Sequence, residues 1–423
     1  MHENHTPPAP TLFTWEFASD PYPAYAWLRE HAPVHRTELP SGVEAWLVTR
    51  YADARQALAD QRLSKNPVHH SETAHGKGKV GIPGERSANL MTHLLNIDPP
   101  DHTRLRRLVS KAFTPRRVAE FAPRVQELTD QLIDAILDKP CVEKGEADLI
   151  HEFAFPLPIY AICDMLGVPR EDQDDFRDWA GMMIRHGGGP RGGVARSVKK
   201  MRTYLAELIH RKREDLGEDL ISGLIRASDH GEHLTENEAA AMAFILLFAG
   251  FETTVNLIGN GTYALLRHPE QRARLQRALA EGDESLLATG VEELLRYDGP
   301  VELATWRFAT QDLVLGGQRI AEGDPVLVVL AAADRDPERF ADPDTLDLSR
   351  RDNQHLGYGH GIHYCLGAPL ARLEGQAAIA TLLRRLPDLS LAAEPEDLRW
   401  RGGLIMRGLR TLPVEFTPKS HAL

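Results

Sequence analysis

The sequence predicts a mainly α-helical protein with small β-sheets. Apolar residues recur at helical spacing through most of the segment between residues 125 and 212. Thr235-Glu-Asn-Glu238 is a capping box, and the apolar residues after it predict one long buried helix that ends near Arg267. Segments 44–49 and 312–320 have the pattern of short strands, and the second contains a Gly-Gly turn. Helices therefore form most of the predicted structure.

Composition narrows the class of protein. The chain has 423 residues and no internal linker, which predicts one domain over residues 11–423 after a flexible polar tail, 1–10. Its net charge of −12 argues against nucleic acid as a partner. The cysteines at 141, 163 and 365 are too few for a disulfide framework, so we expect a reducing, cytoplasmic location. The apolar stretch 239–251 is shorter than the roughly 20 residues that span a bilayer, so we expect no membrane anchor.

One cysteine, Cys365, lies in a glycine-rich segment. Crowded glycines allow positive φ angles or close approach to a flat surface, and here they are Gly357, Gly359, Gly361 and Gly367. Apolar spacing after Cys365, with Pro369 placed early, predicts a helix that begins beside the thiol. The positive end of a helix dipole lowers a thiol pKa, so we expect a thiolate. With a single cysteine in reach, an axial ligand to haem iron fits better than a zinc or iron–sulfur site. On its own, a lone cysteine is more often a buried core thiol.

Tyr358-Gly-His-Gly-Ile-His-Tyr-Cys-Leu-Gly367 resembles the haem-ligand loop of the cytochrome P-450 family, Phe-Gly-x-Gly-x-His/Arg-x-Cys-x-Gly. Tyr358 replaces the usual Phe and adds a hydroxyl that needs a partner. Further motifs match in the family's order, so the resemblance covers nearly the whole chain. It implies the cytochrome P-450 fold of the soluble bacterial type, with haem b held by Cys365 as its axial iron ligand.

A second motif lies in the middle of the predicted long helix. Ala249-Gly-Phe-Glu-Thr253 places an acid and a hydroxyl among apolar residues, and a buried carboxyl is costly unless it is hydrogen-bonded or protonated. Thr253 could simply bond back to the Ala249 carbonyl. The segment resembles the family's oxygen-activation motif, which implies that Thr253 and Glu252 are catalytic and deliver protons while O₂, the co-substrate, is activated. It also implies a kinked helix with a carbonyl left free for water.

Four cationic side chains resemble the family's ligands for the haem propionates. His102 and Arg106 lie one turn apart on a helix for which Asp98 is the expected N-cap. They match the family's His-x-x-x-Arg pair, and Arg307 and His363 match two further propionate ligands. The alternatives are a solvated helix face and histidines satisfied by backbone. Together, four cations facing two carboxylates form a consistent set.

The resemblance also implies a redox partner and a structural ion pair. An acidic ferredoxin, reduced by ferredoxin reductase with electrons from NAD(P)H, is expected to face Arg104, Arg107 and Lys111. Glu293 and Arg296 match the family's Glu-x-x-Arg pair, which is structural and supports the haem-binding side. As isolated helix neighbours they would contribute only tenths of a kcal/mol.

The substrate pocket is expected to combine several segments. The long loop 64–90 lacks periodicity, and the glycine-rich connection 186–193 joins two helices, either as a lid over the pocket or as an ordinary surface loop. The resemblance implies a pocket lined by Leu94, Phe244, Ala249, Val301, Leu303, Ala304, Leu404 and Ile405.

These features predict a haem-thiolate monooxygenase that inserts one oxygen atom from O₂ into an unactivated C–H bond of a small apolar organic substrate. The resemblance is to enzymes that tailor macrolides and other polyketides in secondary metabolism, and hydroxylation of steroid-like or xenobiotic substrates is an alternative. Two alternatives come from other classes. A thiolate-haem sensor or carrier would need no proton relay, and a non-haem metal hydrolase would use His360, His363 and Cys365 as ligands.

Overall fold

The structure is a computed structural model, and it describes residues 8–66, 93–139, 145–184, 193–229 and 231–417. Three predicted features lie wholly or mostly outside the described residues. They are the tail 1–10, the loop 64–90 and the glycine-rich connection 186–193.

Helices dominate the described structure, as the sequence predicts. Those before the long helix are α1 (Trp15–Ser19), α2 (Tyr22–His31), α3 (Tyr51–Ala59), α4 (Asp101–Ala112), α5 (Pro115–Glu120), α6 (Ala122–Leu137), α7 (Pro156–Leu166), α8 (Gln173–Ile184), α9 (Gly193–Glu214) and α10 (Leu220–Arg226). The long helix is α11 (Glu236–Arg267), and those after it are α12 (Pro269–Ala280), α13 (Ser285–Asp298), α14 (Leu330–Ala333) and α15 (Ala368–Arg385).

The long helix α11 begins where the capping box predicts. Thr235 Oγ1 accepts a hydrogen bond from Glu238 N at 3.2 Å, and Glu238 Oε2 accepts one from Thr235 N at 2.8 Å. By length and composition α11 could cross a membrane, but 67% of its most apolar part is buried inside the protein. It is therefore the central core helix of the described fold.

The strands are short and form small sheets. They are β1 (Val34–Glu38), β2 (Glu44–Val48), β3 (Leu63–Ser64), β4 (Gly145–Asp148), β5 (Ser228–Asp229), β6 (Glu232–His233), β7 (Arg307–Ala309), β8 (Leu313–Leu315), β9 (Gln318–Ile320), β10 (Pro325–Val328), β11 (Ser390–Leu391) and β12 (Pro413–Phe416). The largest described sheet has the order β1-β2-β10-β7-β3, in which β2 and β10 pair in parallel and the other neighbours are antiparallel. Strand β12 lies between β11 and β4, while β5–β6 and β8–β9 form separate pairs.

Helix α11 also positions the Cys365 segment. It packs against α7, α13 and α15, and α15 begins shortly after Cys365. The crossing with α15 is close, because a Cβ at Gly375 would lie 3.1 Å from Leu257 Cδ2 of α11. The chain that leaves the Cys365 loop is thereby held against the middle of α11.

The expected N-cap role of Asp98 was wrong. Helix α4 begins at Asp101, with Pro100 in the N-cap position. The Asp98 carboxylate instead accepts hydrogen bonds from Ser64 Oγ and, at 2.9 Å, from Lys65 N. These partners are distant in sequence, so a local capping pattern could not reveal them.

Candidate active site

The Cys365 loop is held in place by its glycines and by a neighbouring helix. Gly359 and Gly361 have φ angles of 74° and 75°, which strain any residue that carries a Cβ. A Cβ at Gly361 would also lie 3.1 Å from the Leu58 carbonyl oxygen of α3. Cys365 N donates a hydrogen bond of 2.9 Å to Tyr358 O. The loop therefore presents Cys365 directly before α15.

The Cys365 thiol does not have the lowered pKa that its place at a helix N-terminus predicts. Its side chain is exposed, yet protein surrounds it closely enough that burial raises its pKa above the ordinary value. The N–H groups of Gly367 and Ala368 and the charges of Arg106 and Arg372 lower the pKa by less than burial raises it. Without a bound cation, Cys365 is therefore not the thiolate that the helix N-terminus alone predicts. A coordinated metal cation would reverse the balance, because it deprotonates a thiol that binds it.

The hydroxyl of Tyr358 does not find the partner that we expected it to need. It is buried and has no hydrogen-bond partner among the described residues, and burial raises its pKa. The Arg372 guanidinium lies 4.5 Å from the centre of the Tyr358 ring. The ring is therefore held by a cation–π contact that a phenylalanine would also make.

Two of the predicted propionate ligands meet at the Cys365 loop. The ring centres of His102 and His363 are 4.3 Å apart. Burial lowers the pKa of both histidines, and that of His363 falls to about 3. His102 Nε2 and His363 Nδ1 are buried and have no hydrogen-bond partner among the described residues. Arg106, one turn after His102 on α4, donates a hydrogen bond to Tyr364 O at 2.8 Å.

Further cations lie beside these histidines, and of them only Arg307 was predicted. Arg307 is 4% exposed, and burial lowers its pKa to about 10. Lys65 is 3% exposed and donates hydrogen bonds to oxygen atoms of residues 305–306. Burial lowers the pKa of Lys65 well below its ordinary value, and the charge of Arg307 lowers it further. The charge of Lys65 in turn lowers the pKa of His93 and of His363.

We call this group the cation cluster; its members are Lys65, His93, His102, Arg106, Arg307 and His363. Burial and mutual repulsion both disfavour positive charge in the cluster, and a bound anion would offset both effects. The Asp98 carboxylate is one such anion within the protein, because its charge raises the pKa of Lys65, Arg307 and His102. The unpartnered nitrogens of His102 and His363 offer hydrogen-bonding positions to further carboxylates. The cluster, with Cys365 beside it, therefore fits a porphyrin that carries two propionates and an iron ion.

The predicted oxygen-activation motif lies on an accessible part of α11. Ala249 is exposed, although most of the helix is buried. Thr253 Oγ1 donates a hydrogen bond to Ala249 O at 2.8 Å, and Thr254 Oγ1 donates one to Gly250 O at 3.1 Å. The Ala249 and Gly250 carbonyls each accept a threonine hydroxyl, so neither is the free carbonyl that we expected. Glu252 is 8% exposed, as its place among apolar residues predicts.

A second buried acid, Glu374 of α15, was not predicted as a site residue. It is 1% exposed, and neither of its carboxylate oxygens makes a hydrogen bond. Burial raises the pKa of Glu374 to about 8, against a smaller lowering by the nearby hydroxyl of Thr254. The side chain is therefore mainly neutral at pH 7. The burial of Glu374 could not be predicted from the sequence, because a glutamate in an amphipathic helix is usually exposed.

Replacing Glu374 by glutamine should make stability less sensitive to rising pH. The pKa of Glu374 is about 8 in the folded protein and 4.5 when unperturbed. The folded protein therefore keeps a proton that the unfolded chain loses, and its stability falls as pH rises between those values. Glutamine has no proton to lose, so the advantage of Glu374→Gln in unfolding free energy should grow from pH 5 to pH 8 by at most about 4 kcal/mol.

Urea unfolding at both pH values measures this difference, with the exposed Glu281→Gln as the control. An advantage of equal size at pH 5 and pH 8 would contradict a neutral Glu374.

The predicted structural pair is fully buried and has more partners than the sequence indicates. Arg296 donates hydrogen bonds to Glu293 at 2.8 and 2.9 Å, and both side chains are 0% exposed. Their further hydrogen-bond partners are Asp334, Pro343, Thr345, Asp347, Arg350 and Asn353. The pair therefore holds the segment 334–353, which leads into the Cys365 loop.

The structure brings the predicted pocket segments 301–304 and 404–405 together. Glu302 N donates a hydrogen bond to Ile405 O at 2.8 Å. Val301 pairs with Met406 in an isolated β-bridge. The predicted pocket residues that are only partly buried here are Val301, Leu404 and Ile405.

The other predicted pocket residues lie in different parts of the core. Leu303 is 1% exposed and packs with the apolar side chains of α2, so we leave it out of the proposed pocket. Ala304 packs in the cluster that covers the largest sheet. Leu94 and Phe244 lie in the central cluster with α11, where the rings of Phe244 and Phe248 are 6.2 Å apart.

The expectation that Arg104 faces an electron donor was wrong. Its guanidinium forms an ion pair with Glu238, the acid of the α11 capping box. The charge of Arg104 is therefore largely neutralised within the protein. Arg107 and Lys111, on the same helix, are exposed as expected.

The geometry argues against the metal hydrolase alternative. The ranges that the structure describes contain no group of three or more His, Cys, Asp or Glu side chains that could hold a metal ion. His363, which that alternative needs beside His360 and Cys365, packs against His102 instead.

Comparisons with known proteins identify the family of this chain. The Cytochrome P450 family model matches residues 159–387. The chain is 48% identical to the cytochrome P450 monooxygenase PikC of Streptomyces venezuelae, over 95% of this chain and 92% of PikC. It is 43% identical to a vitamin D(3) 25-hydroxylase of Pseudonocardia autotrophica, over 97% of each chain. The solved structure of the Bacillus subtilis bacillaene polyketide synthase cytochrome P450 PksS matches with a TM-score of 0.86 and 38% identity, over 96% of this chain and 99% of that one. The chain therefore belongs to the cytochrome P450 family of haem-dependent monooxygenases.

Proposed function

We propose that this chain hydroxylates an apolar polyketide, such as a macrolide, with haem b bound through Cys365. The observation that carries the proposal is the cation cluster beside the Cys365 loop, in which His102 Nε2 and His363 Nδ1 are buried and have no hydrogen-bond partner within the described ranges. In this proposal the Cys365 thiolate would bind the haem iron. The propionates are bound by His102, Arg106, Arg307 and His363, and Lys65 adds positive charge behind them.

Bound haem supplies the activation of O₂ and the oxidant that attacks the C–H bond. The protein must supply protons, orientation and exclusion of water. Thr253 holds its hydroxyl proton against Ala249 O and can release it toward the exposed side of α11 by a rotation about its Cα–Cβ bond. Glu252, the preceding residue, relays protons from solvent. The apolar side chains that orient the substrate and exclude water are those of Val301, Leu404 and Ile405.

Replacing Thr253 by alanine should lower the yield of hydroxylated product per electron consumed by several-fold. Without the hydroxyl, proton delivery is misdirected and reduced oxygen is released as peroxide. The measurement compares NAD(P)H consumed with product and hydrogen peroxide formed. Thr253→Ser keeps the hydroxyl and should retain most of the coupling. Unchanged coupling in Thr253→Ala would contradict the role of Thr253, and a parent protein that binds ligand but forms no product would favour a carrier or sensor.

A polyketide substrate is supported by the relative PksS, which is named as a cytochrome P450 of the bacillaene polyketide synthase. The vitamin D(3) 25-hydroxylase relative supports a steroid-like substrate as the second candidate. A binding panel of macrolides, linear polyketides, secosteroids and small xenobiotics separates the two, because a ligand that displaces water from haem iron shifts the Soret band. We expect saturable shifts with macrolides or linear polyketides at the lowest concentrations. A secosteroid that binds more tightly than every polyketide would overturn the first candidate.

We propose that the electron donor is a cytoplasmic ferredoxin, reduced by its NAD(P)H-dependent reductase, that docks over the Cys365 loop. Ile362 and Tyr364 of this loop are 47% and 39% exposed. Arg107 and Lys111 provide positive charge on α4, the helix whose Arg106 is bonded to Tyr364. Such a rim of cations around an apolar centre suits an acidic partner.

Replacing both Arg107 and Lys111 by glutamate should raise the ferredoxin concentration that gives half-maximal turnover by about tenfold at low salt. The effect should shrink as salt screens the charges. Arg319→Glu, on the β8–β9 pair, reverses one exposed charge and is the control for each of the two single replacements, Arg107→Glu and Lys111→Glu. An equal effect of the Arg319 variant would contradict the docking site.

A further inference from the structure

The C-terminal hairpin, residues 400–409, lies against one face of α11. Trp400 and Leu409 pair in an isolated β-bridge, and Arg401 N donates a hydrogen bond to Gly408 O at 2.8 Å. The rings of Trp400 and Tyr263 are 5.9 Å apart in an edge-on contact. These contacts fix one end of the hairpin on α11.

Two asparagines of α11 hold the other strand of the hairpin. Asn260 Nδ2 donates a hydrogen bond to Arg407 O at 3.1 Å. Asn256 packs so closely against Gly408 that a Cβ at position 408 would overlap Asn256 Oδ1. Both asparagines are fully buried. Glu252 lies one turn before Asn256 on the same face of α11, because residues four apart in a helix lie above one another.

Arg401 of the hairpin lies close enough to Glu252 for their charges to interact. The charge of Glu252 acts on Arg401 more strongly than any other charge, while Asp148 adds a weaker attraction and Arg410 a repulsion. Burial lowers the pKa of Arg401, as expected for a cation that is mostly shielded from water. Arg401 Nη1 is buried and has no hydrogen-bond partner in the described part of the chain. The guanidinium therefore depends on nearby carboxylates for compensation.

The same hairpin forms part of the proposed pocket wall. Its tip carries Leu404 and Ile405, and Ile405 O accepts hydrogen bonds from the N–H groups of Glu302 and Leu303 at 2.8 and 3.3 Å. A shift of this tip would therefore be transmitted to Arg401 through a short, hydrogen-bonded hairpin.

We propose that Arg401 is a positioning residue that keeps the Glu252 carboxylate ionised and oriented as a proton relay. The proposal rests on the proposed function, because it assigns a partner to the acid that relays protons in it. An opposite charge beside a carboxyl favours its ionised form, and a hairpin anchored on α11 fixes where that charge lies. A substrate that contacts Leu404 or Ile405 therefore contacts the same hairpin that carries Arg401, the partner of Glu252.

The first test does not depend on catalysis. Arg401→Gln, Glu252→Gln and the double variant are unfolded in urea at pH 7, and unfolding is followed by tryptophan fluorescence. If the two side chains interact, the loss of stability in the double variant is clearly smaller than the sum of the two single losses. Additive losses would overturn the proposal. Should Arg401→Gln fail to fold, Arg401→Met, which keeps the aliphatic part of the side chain without the charge, takes its place in the same comparison with the same expected result.

The second test measures the pH dependence of product formed per electron. Removing the positive charge of Arg401 raises the pKa of the Glu252 carboxyl, so the pH at which coupling changes should rise in Arg401→Gln. Arg401→Lys should restore the parental profile. The matched control is Arg399→Gln, an exposed arginine just before the hairpin that stacks over Trp15. A shift of equal size in the control, or none in Arg401→Gln, would overturn the proposal.

The two tests separate this inference from the proposed function. If Thr253→Ala leaves coupling unchanged, the proposed proton delivery through Thr253 fails, whether or not the losses of stability in the Arg401 and Glu252 variants are additive. Suppose instead that Thr253→Ala lowers coupling and that the losses of stability in Arg401→Gln and Glu252→Gln add up in the double variant. The proposed mechanism then stands, and only the role of Arg401 fails.

Discussion

Replacing Cys365 by serine should abolish hydroxylation and leave the fold intact. A serine hydroxyl does not ionise at neutral pH, so it cannot replace the electron donation of a thiolate to haem iron. The Cys365 side chain is exposed, so the substitution removes no packing from the core. Product formation with substrate, reductase and ferredoxin measures activity, and urea unfolding measures stability.

Cys163 provides the matched control for this variant. Its thiol is fully buried in the central core cluster. Cys163→Ala should lower stability by about 1 kcal/mol and retain hydroxylation. If Cys365→Ser kept its hydroxylation activity, another group would have to bind the iron.

Replacing Glu293 by alanine should lower the free energy of unfolding more than any other substitution that we predict. The change leaves Arg296 buried without its carboxylate, and truncation of one partner of a buried pair costs about 3 to 5 kcal/mol. It also removes the acceptor for Asp347 N, Arg350 Nε and Asn353 Nδ2, which lie in the segment before the Cys365 loop. We therefore expect low expression and, in the protein that can be purified, reduced haem content.

The exposed pair of Arg319 and Asp312 is the control for Glu293→Ala. These side chains are 80% and 51% exposed, so Asp312→Ala should change the free energy of unfolding by less than about 1 kcal/mol. Urea unfolding and the ratio of haem to protein measure both variants. If Glu293→Ala were as mild as Asp312→Ala, the pair would not be the anchor of this segment.

The features that could be predicted from the sequence depend on residues close together in the chain. The start of α11 follows from a capping box of four residues, and the turn of the Cys365 loop follows from its glycines. The parallel pairing of β2 with β10 joins Trp46 to Val326. No local pattern encodes such a pairing, and only the complete fold brings these strands together.

Burial explains why several site residues could not be predicted. Lys65, Glu374 and Arg401 are charged residues, which are exposed in most proteins, and their sequence neighbours give no sign that they are shielded from water. The same cause reversed the predicted pKa of Cys365. A helix N-terminus acts locally and lowers the pKa, whereas burial depends on every element that packs around the loop and raises it by more.

The central claim is that a thiolate from Cys365 binds haem iron, and the absorption spectrum of the reduced protein under carbon monoxide tests it most directly. We predict the strongly red-shifted Soret band of a thiolate–haem complex in the parent protein, and its loss in Cys365→Ser. A parent protein whose Soret band instead lies where histidine-bound haem absorbs would contradict the claim.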